Sequence, residues 1–276
     1  VTIGVTVLGA IAILGVLLWQ GWQWRQTDRI WRTLQQPLQQ RQDAETFDES
    51  AIADLPDPAR RYFQRAIQSG TPLASNVYLK MRGSFRTRPD GMWLPMRAEQ
   101  IIAAVRGFVW KARIGRSGFQ LIGADRYFNG VGQIQFSLWG LIPLVKGSNT
   151  DISRSSLGRL VSESIWLPSA LLPQRGVCWE AADETRVTAH LEVDGEPFAL
   201  TLEIAPDGRL QQVWLKRWGH LPGESEFRYL DFGAYCEGDR TFEGWTIPTQ
   251  FRGGYGFGSE DYFEFIRATI EEARFG

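Results

Sequence analysis

The sequence predicts a mainly β fold of the α+β kind. An N-terminal transmembrane helix leads into one large curved antiparallel sheet, a half-barrel, with helices packed on its concave face. Three observations predict it. The first 24 residues carry no charge. From Asn76 onward apolar and polar residues alternate with a period of two, in runs separated by short turn signals. One long helical interruption, residues 151 to 173, stands between the strands and ends among prolines and bulky apolar side chains. The expected organisation is an anchor at 1–24, a juxtamembrane helix and linker at 25–50, and a sheet domain at 51–276 with the plug helix at 151–173.

The run VTIGVTVLGAIAILGVLLWQGWQW reaches Arg25 before its first charge. A helix needs roughly 20 apolar residues to cross the hydrocarbon core. Trp19, Trp22 and Trp24 suit the interfacial belt. A cleaved signal peptide would have a shorter apolar core and a small-x-small site, whereas bulky Leu17, Leu18 and Trp19 follow here. An uncleaved, single-pass anchor is therefore expected, with the lipid bilayer as partner through residues 1–24. Arg25, Arg29, Arg32 and Arg41 follow the span, which by the positive-inside rule favours a cytoplasmic domain.

Residues 25 to 36 continue helically, with Ile30, Trp31, Leu34 and Leu38 on one side. Pro37 and the polar run QQRQDAETFDES read as a linker. In LPDPARRYFQRAIQSG, Asp57 is the expected N-cap, Pro58 the first helical residue and Gly70 the C-terminal cap of a helix over 58–69. Ala59, Phe63, Ala66 and Ile67 form its buried stripe.

The strands follow. Val77, Leu79, Met81 and Phe85 alternate with polar neighbours. So do Phe108, Trp110, Ala112 and Ile114 with Lys111 and Arg113, and Ile134, Phe136 and Leu138 with Gln133, Gln135 and Ser137. Further runs span 186–193, 198–204, 210–218, 225–232, 245–252 and 261–271, the last also compatible with a helix. RPDG at 88–91, VDGE at 193–196 and PDGR at 206–209 are turns. About ten or eleven strands joined by short turns imply antiparallel neighbours. A sheet that wide tends to curl. In DISRSSLGRLVSESIW, Asp151 or Ser153 caps a helix whose Leu157, Leu160, Val161 and Ile165 share a face. Pro168 ends it at Leu167. Trp166, Leu167, Leu171 and Leu172 are then free to fill the hollow of the sheet.

Four stretches carry a resemblance: LPDPARRYFQRAIQSGTP at 55–72, FVWKARI at 108–114, DRYFNGVGQI at 125–134 and, most strongly, WLPSALLPQRGVCWEAAD at 166–183. With the N-terminal span they resemble a bacterial family of membrane-anchored proteins catalogued only as a domain of unknown function. Ser169 stands where threonine is expected, and Cys178 fills a variable slot. The resemblance implies no activity, cofactor or catalytic residue. In strand count and helix placement the domain is also similar to the half-barrels of lipoprotein carriers, a likeness of fold only. It places the domain on the extracytoplasmic side, against the arginines, and that side is the expectation adopted.

A net charge of −1 offers no global field for nucleic acid. No G-x-S-x-G elbow, P-loop, H-E-x-x-H or paired C-x-x-C occurs. His190 and His220 read as surface or edge residues, so no metal, cofactor or catalytic group is expected. GVGQ at 130–133 reads as a turn, and FRGGYGFGSED at 251–261 as a hairpin loop or a lip over a pocket. Cys178 and Cys236 can pair or stay free. The candidate pocket residues are Glu163, Trp166, Arg113, Asp125, Trp110 and Leu171. The expected function is a membrane-tethered, non-enzymatic domain that binds a lipid or other apolar ligand, as an envelope carrier or sensor. The alternatives are a scaffolding protein whose sheet is filled by its own side chains, and an enzyme built on Glu163, Asp125 and Arg113.

Overall fold

The computed structural model describes residues 2–36 and 45–276, with side chains in the first helix described from Leu18 on. Part of the expected linker, 37–44, lies outside the described residues. The first helix, α1 (Thr2–Gln35), is continuous. Among the described residues, no helix is long and apolar enough to cross a membrane, so the expected span is not shown. From Trp19 onward α1 packs on the protein itself. Gln20, Gln23 and Thr27 are buried, and Gln23 accepts a hydrogen bond from the side chain of Gln133 at 2.8 Å. Gln20 likewise donates to the Leu141 carbonyl, while Thr27 donates to the Gln23 carbonyl within α1.

Thirteen strands form one antiparallel sheet. After α2 (Asp57–Ala66) come β1 (Asn76–Phe85), β2 (Leu94–Ala103), β3 (Gly107–Arg116), β4 (Phe119–Phe128), β5 (Val131–Leu138) and β6 (Ile142–Gly147). After α3 (Thr150–Ser162) and three 3-10 turns come β7 (Cys178–Ala181), β8 (Arg186–Val193), β9 (Glu196–Ile204), β10 (Leu210–Gly219), β11 (Arg228–Phe242), β12 (Trp245–Tyr255) and β13 (Phe263–Phe275). The order is β6-β5-β4-β3-β2-β1-β13-β12-β11-β10-β9-β8-β7. Two meanders thus meet where β1 pairs with β13, and the chain must travel from the β6 edge to the β7 edge. It does so across the concave face, through α3. Three hairpins close on two residues that are both left-handed: Asn129-Gly130 (φ 48° and 80°), Asp194-Gly195 (50° and 78°) and Glu243-Gly244 (51° and 90°). This backbone matches the twist of the flanking strands.

The curl follows from α3. It touches both β5 and β10, which stand eight strand spacings apart. Laid flat, those strands would be about 38 Å apart, while a helix is about 10–12 Å wide. The sheet must wrap round the helix for both contacts to exist. One large apolar core fills the concave side. A second, of Leu34, Tyr78, Ile101, Ala103 and Val109, lies under α1 on the convex side.

Several expectations change in detail. The expected run at 261–271 is strand and not helix, with bounds Phe263–Phe275. Four strands lie outside the expected runs: β2, β4 and the two edges, of which β6 reads IPLVKG, without alternation, and β7 is four residues long. α2 ends at Ala66, because Ile67 turns extended and bridges to Trp245. Asp57 bonds Arg60 and Arg61 rather than capping α2. α3 is capped by Asn149, whose side chain accepts from the Ile152 amide at 2.8 Å. Residues 251–255 of the expected loop are the end of β12, leaving a shorter turn than expected.

Both cysteines are free, Cys178 exposed and Cys236 buried, so no disulfide argues for an oxidising compartment. Burial, then the charge of Glu237, pushes the Cys236 thiol up to about 12. A thiol titration with Ellman's reagent at pH 8 is therefore expected to count one group in the native protein and a second only in denaturant. Equal reactivity of both would contradict this packing.

Candidate ligand-binding site

Between α3 and the sheet lies a cavity of about 470 Å³, more than the roughly 300 Å³ a drug-sized ligand requires. Met81, Phe85, Trp110, Ile114, Ile134 and Phe136 form one wall. Val213, Phe232, Phe251, Tyr255, Phe265 and Ile266 form the other, and Ile165 and Trp166 form the roof. Apart from Phe265 and Ile266, which are consecutive at an irregularity in the β12–β13 pairing, these are the inward phases of their strands, which is why the walls are apolar and aromatic. Phe265 packs on Phe85 and Phe232, at ring separations of 5.6 and 6.2 Å.

One polar strip crosses this surface. Arg159, on α3, donates from Nη1 to Asp125 at 2.6 Å and from Nε to Glu163 at 2.8 Å. The buried side chain of Gln100 donates to the other oxygen of Glu163. The three charged side chains are each only 13% exposed. Burial opposes the charge on Arg159, but Glu163 and Asp125 outweigh it and hold its pKa above the ordinary arginine value. Its guanidinium also stands over Phe108 at 4.7 Å and Trp110 at 5.0 Å. Further along, Arg217 is 8% exposed. It donates to the Ser155 carbonyl at 3.0 Å and lies over Phe232 at 4.6 Å. Among the described residues no carboxylate forms an ion pair with it. The indole N–H groups of Trp110 and Trp166 are buried and have no hydrogen-bond partner. The site thus offers unspent donors in an apolar chamber.

Four expected residues border the cavity: Glu163, Asp125, Trp110 and Trp166. Two do not. Arg113 is exposed, since its neighbours Ala112 and Ile114 take the inward phase of β3. Leu171 is fully buried beneath the plug, its carbonyl accepting from the indole of Trp179 at 3.0 Å. Glu163 and Asp125 therefore meet at the cavity and Arg113 does not join them. Arg159, Gln100 and Arg217 went unnoticed in the sequence. Arg159 stood four residues before Glu163, and Arg217 on the inward phase shared by Val213 and Leu215. His220 is exposed, as expected, but sits at the rim. Among the described residues no group of three or more metal-binding side chains gathers.

The model of the family of unknown function DUF6544 matches residues 45–268. The chain belongs to DUF6544. This is the kind of family that the WLPSALLP stretch resembled. No curated protein matches the chain. Among solved structures, a LolA superfamily protein, NE2245 from Nitrosomonas europaea, is 9% identical, with a TM-score of 0.41 over 79% of this chain and 92% of that one. A DUF1329 family protein from Desulfovibrio piger is 13% identical, with a TM-score of 0.37 over 79% and 90%. Such scores carry no functional argument, so the reading of this DUF6544 chain rests on its cavity.

Proposed function

We propose that this DUF6544 domain is a non-enzymatic binding module for an amphiphile and is held at a membrane by the apolar N-terminal part of α1. The observation that carries the reading is a 470 Å³ apolar cavity crossed by buried polar groups. An acyl-like chain fits the aromatic walls. An oxygen-rich head fits the free indole N–H groups and Arg217, because an unpaired buried donor gains most from an acceptor. A scaffold filled by its own side chains would leave no such chamber. Residues 2–18 of α1 span about 26 Å, close to the roughly 30 Å of a hydrocarbon core, and they carry no charge.

The test is denaturing extraction of the purified full chain with mass spectrometry of the extract, together with binding of the probe N-phenyl-1-naphthylamine. Gly253 lines the cavity, and a Cβ there meets only ordinary contacts of 3.4–3.6 Å. Gly253→Trp is therefore expected to weaken probe binding by about tenfold or more, with an unchanged circular dichroism spectrum. No extractable amphiphile and no probe binding in the parent protein would defeat the reading.

A further inference from the structure

The turns at one end of the sheet are apolar at their tips. The closing pairs Phe85–Leu94, Arg116–Phe119 and Leu138–Ile142 place the β1–β2, β3–β4 and β5–β6 turns at that end. Met92, Phe119, Trp139 and Leu141, in or beside these turns, are 82%, 46%, 49% and 54% exposed. The β5–β6 hairpin goes further. Ile142, Pro143, Leu144 and Val145 are all exposed, so β6 is apolar on both faces up to Lys146. A strand half-covered by its own protein would alternate. Scattered apolar side chains need no explanation, but a contiguous patch does.

Several features point to a lipid surface as the cover. α1 meets this hairpin as its uncharged run ends: the Gln20 side chain donates to the Leu141 carbonyl, and the Lys146 ammonium stands 4.2 Å from the Trp19 ring centre. Leu18 and Trp22 beside them are 67% and 54% exposed. From there α1 runs back along the sheet to Leu34, whose carbonyl accepts from Asn76 at the opposite end. The uncharged residues before Leu18 therefore point past the apolar turns. Exposed cations, Arg116 and Lys146, border the patch where anionic headgroups would lie. Pro143 removes an amide from the β6 edge, which disfavours strand addition by a second copy. The cavity opens at this end too, since Thr87, His220 and Phe227 at its rim belong to turns of the same end.

We propose that this end of the domain docks on an anionic bilayer, with the β5–β6 hairpin inserted at the interface, so that the cavity opens onto the lipid. The placement rests on the anchor reading of residues 1–18 and not on the ligand reading of the cavity.

The experiment uses the full chain carrying Cys178→Ser in vesicles of phosphatidylcholine and phosphatidylglycerol. An environment-sensitive nitrobenzoxadiazole label is attached at Leu144→Cys, or at Val131→Cys as control. Val131 lies at the far end of β5, and Leu144 is level with Phe136 and Ser137, so the two are about 19 Å apart along the strand. The label at 144 is expected to shift to the blue, to be quenched by doxyl-labelled lipid and to be shielded from iodide, with the reverse at 131. Iodide access at 144 equal to that at 131 would overturn the proposal. So would shielding at 144 without lipid quenching, which would mean a second copy covers the patch. A chain that fails to float with vesicles would defeat the anchor reading as well. Lipid quenching at 144 without probe binding in the cavity would defeat the ligand reading alone.

Discussion

Trp166→Ala is expected to lower the unfolding free energy by about 3 kcal/mol, at the low end of the range for emptying a buried large aromatic. Trp166 is 4% exposed and packs on Phe251 with ring centres 4.7 Å apart. It closes the first 3-10 turn after α3, and Pro168 fixes the bend that follows. The removed ring leaves space beside an existing cavity, so part of its surroundings was already unfilled and the loss stays near the lower bound. Urea unfolding measures it, with Trp139→Ala as the contrast. Trp139 is 49% exposed, and its loss should fall within about 0.5 kcal/mol of zero. Equal effects at the two positions would mean that the plug does not bear on the core.

The sheet was legible because a one-sided strand writes its burial into every second residue. Val77, Leu79 and Met81 of β1 face the core as their spacing requires. β6 was not legible, because a strand exposed on both faces and apolar throughout has no alternation to read. β7 was too short for one. The stripe of Ile30, Trp31 and Leu34 was visible, but its destination was not. It packs on Tyr78, Ile101 and Val109, the outward residues of strands whose other face is core, and a single-sequence pattern cannot say which face of a sheet a helix will find. The same alternation that exposed the strands already assigned Arg113 to the outward phase. Its nomination ignored that phase in favour of its charge, and the structure sides with the phase. Arg217 is the converse case. A charge on an inward phase departs from the pattern of its strand, and that departure marked the site.

Arg159→Met is expected to cost about 3–5 kcal/mol, the usual loss when one partner of a buried ion pair is removed. Arg159 holds Asp125 and Glu163 together, and each of those carboxylates is 13% exposed. With the guanidinium gone, two negative charges face each other across an apolar chamber, where repulsion is poorly screened. The loss belongs to the charges left behind and not to a net gain from the bridge. The triple substitution Arg159→Met, Asp125→Asn, Glu163→Gln should therefore recover most of it. Arg159→Lys should fall between, since one ammonium cannot reproduce the fork that reaches both carboxylates at once. Urea unfolding of the set separates the causes. A cost under about 1 kcal/mol for Arg159→Met would mean that water reaches the strip and the chamber is not the low-dielectric site described. If the triple variant regains stability but no longer holds an extractable amphiphile, the strip serves the ligand. If it regains both, the strip serves the fold, and head-group recognition falls to Arg217 and the two free indoles.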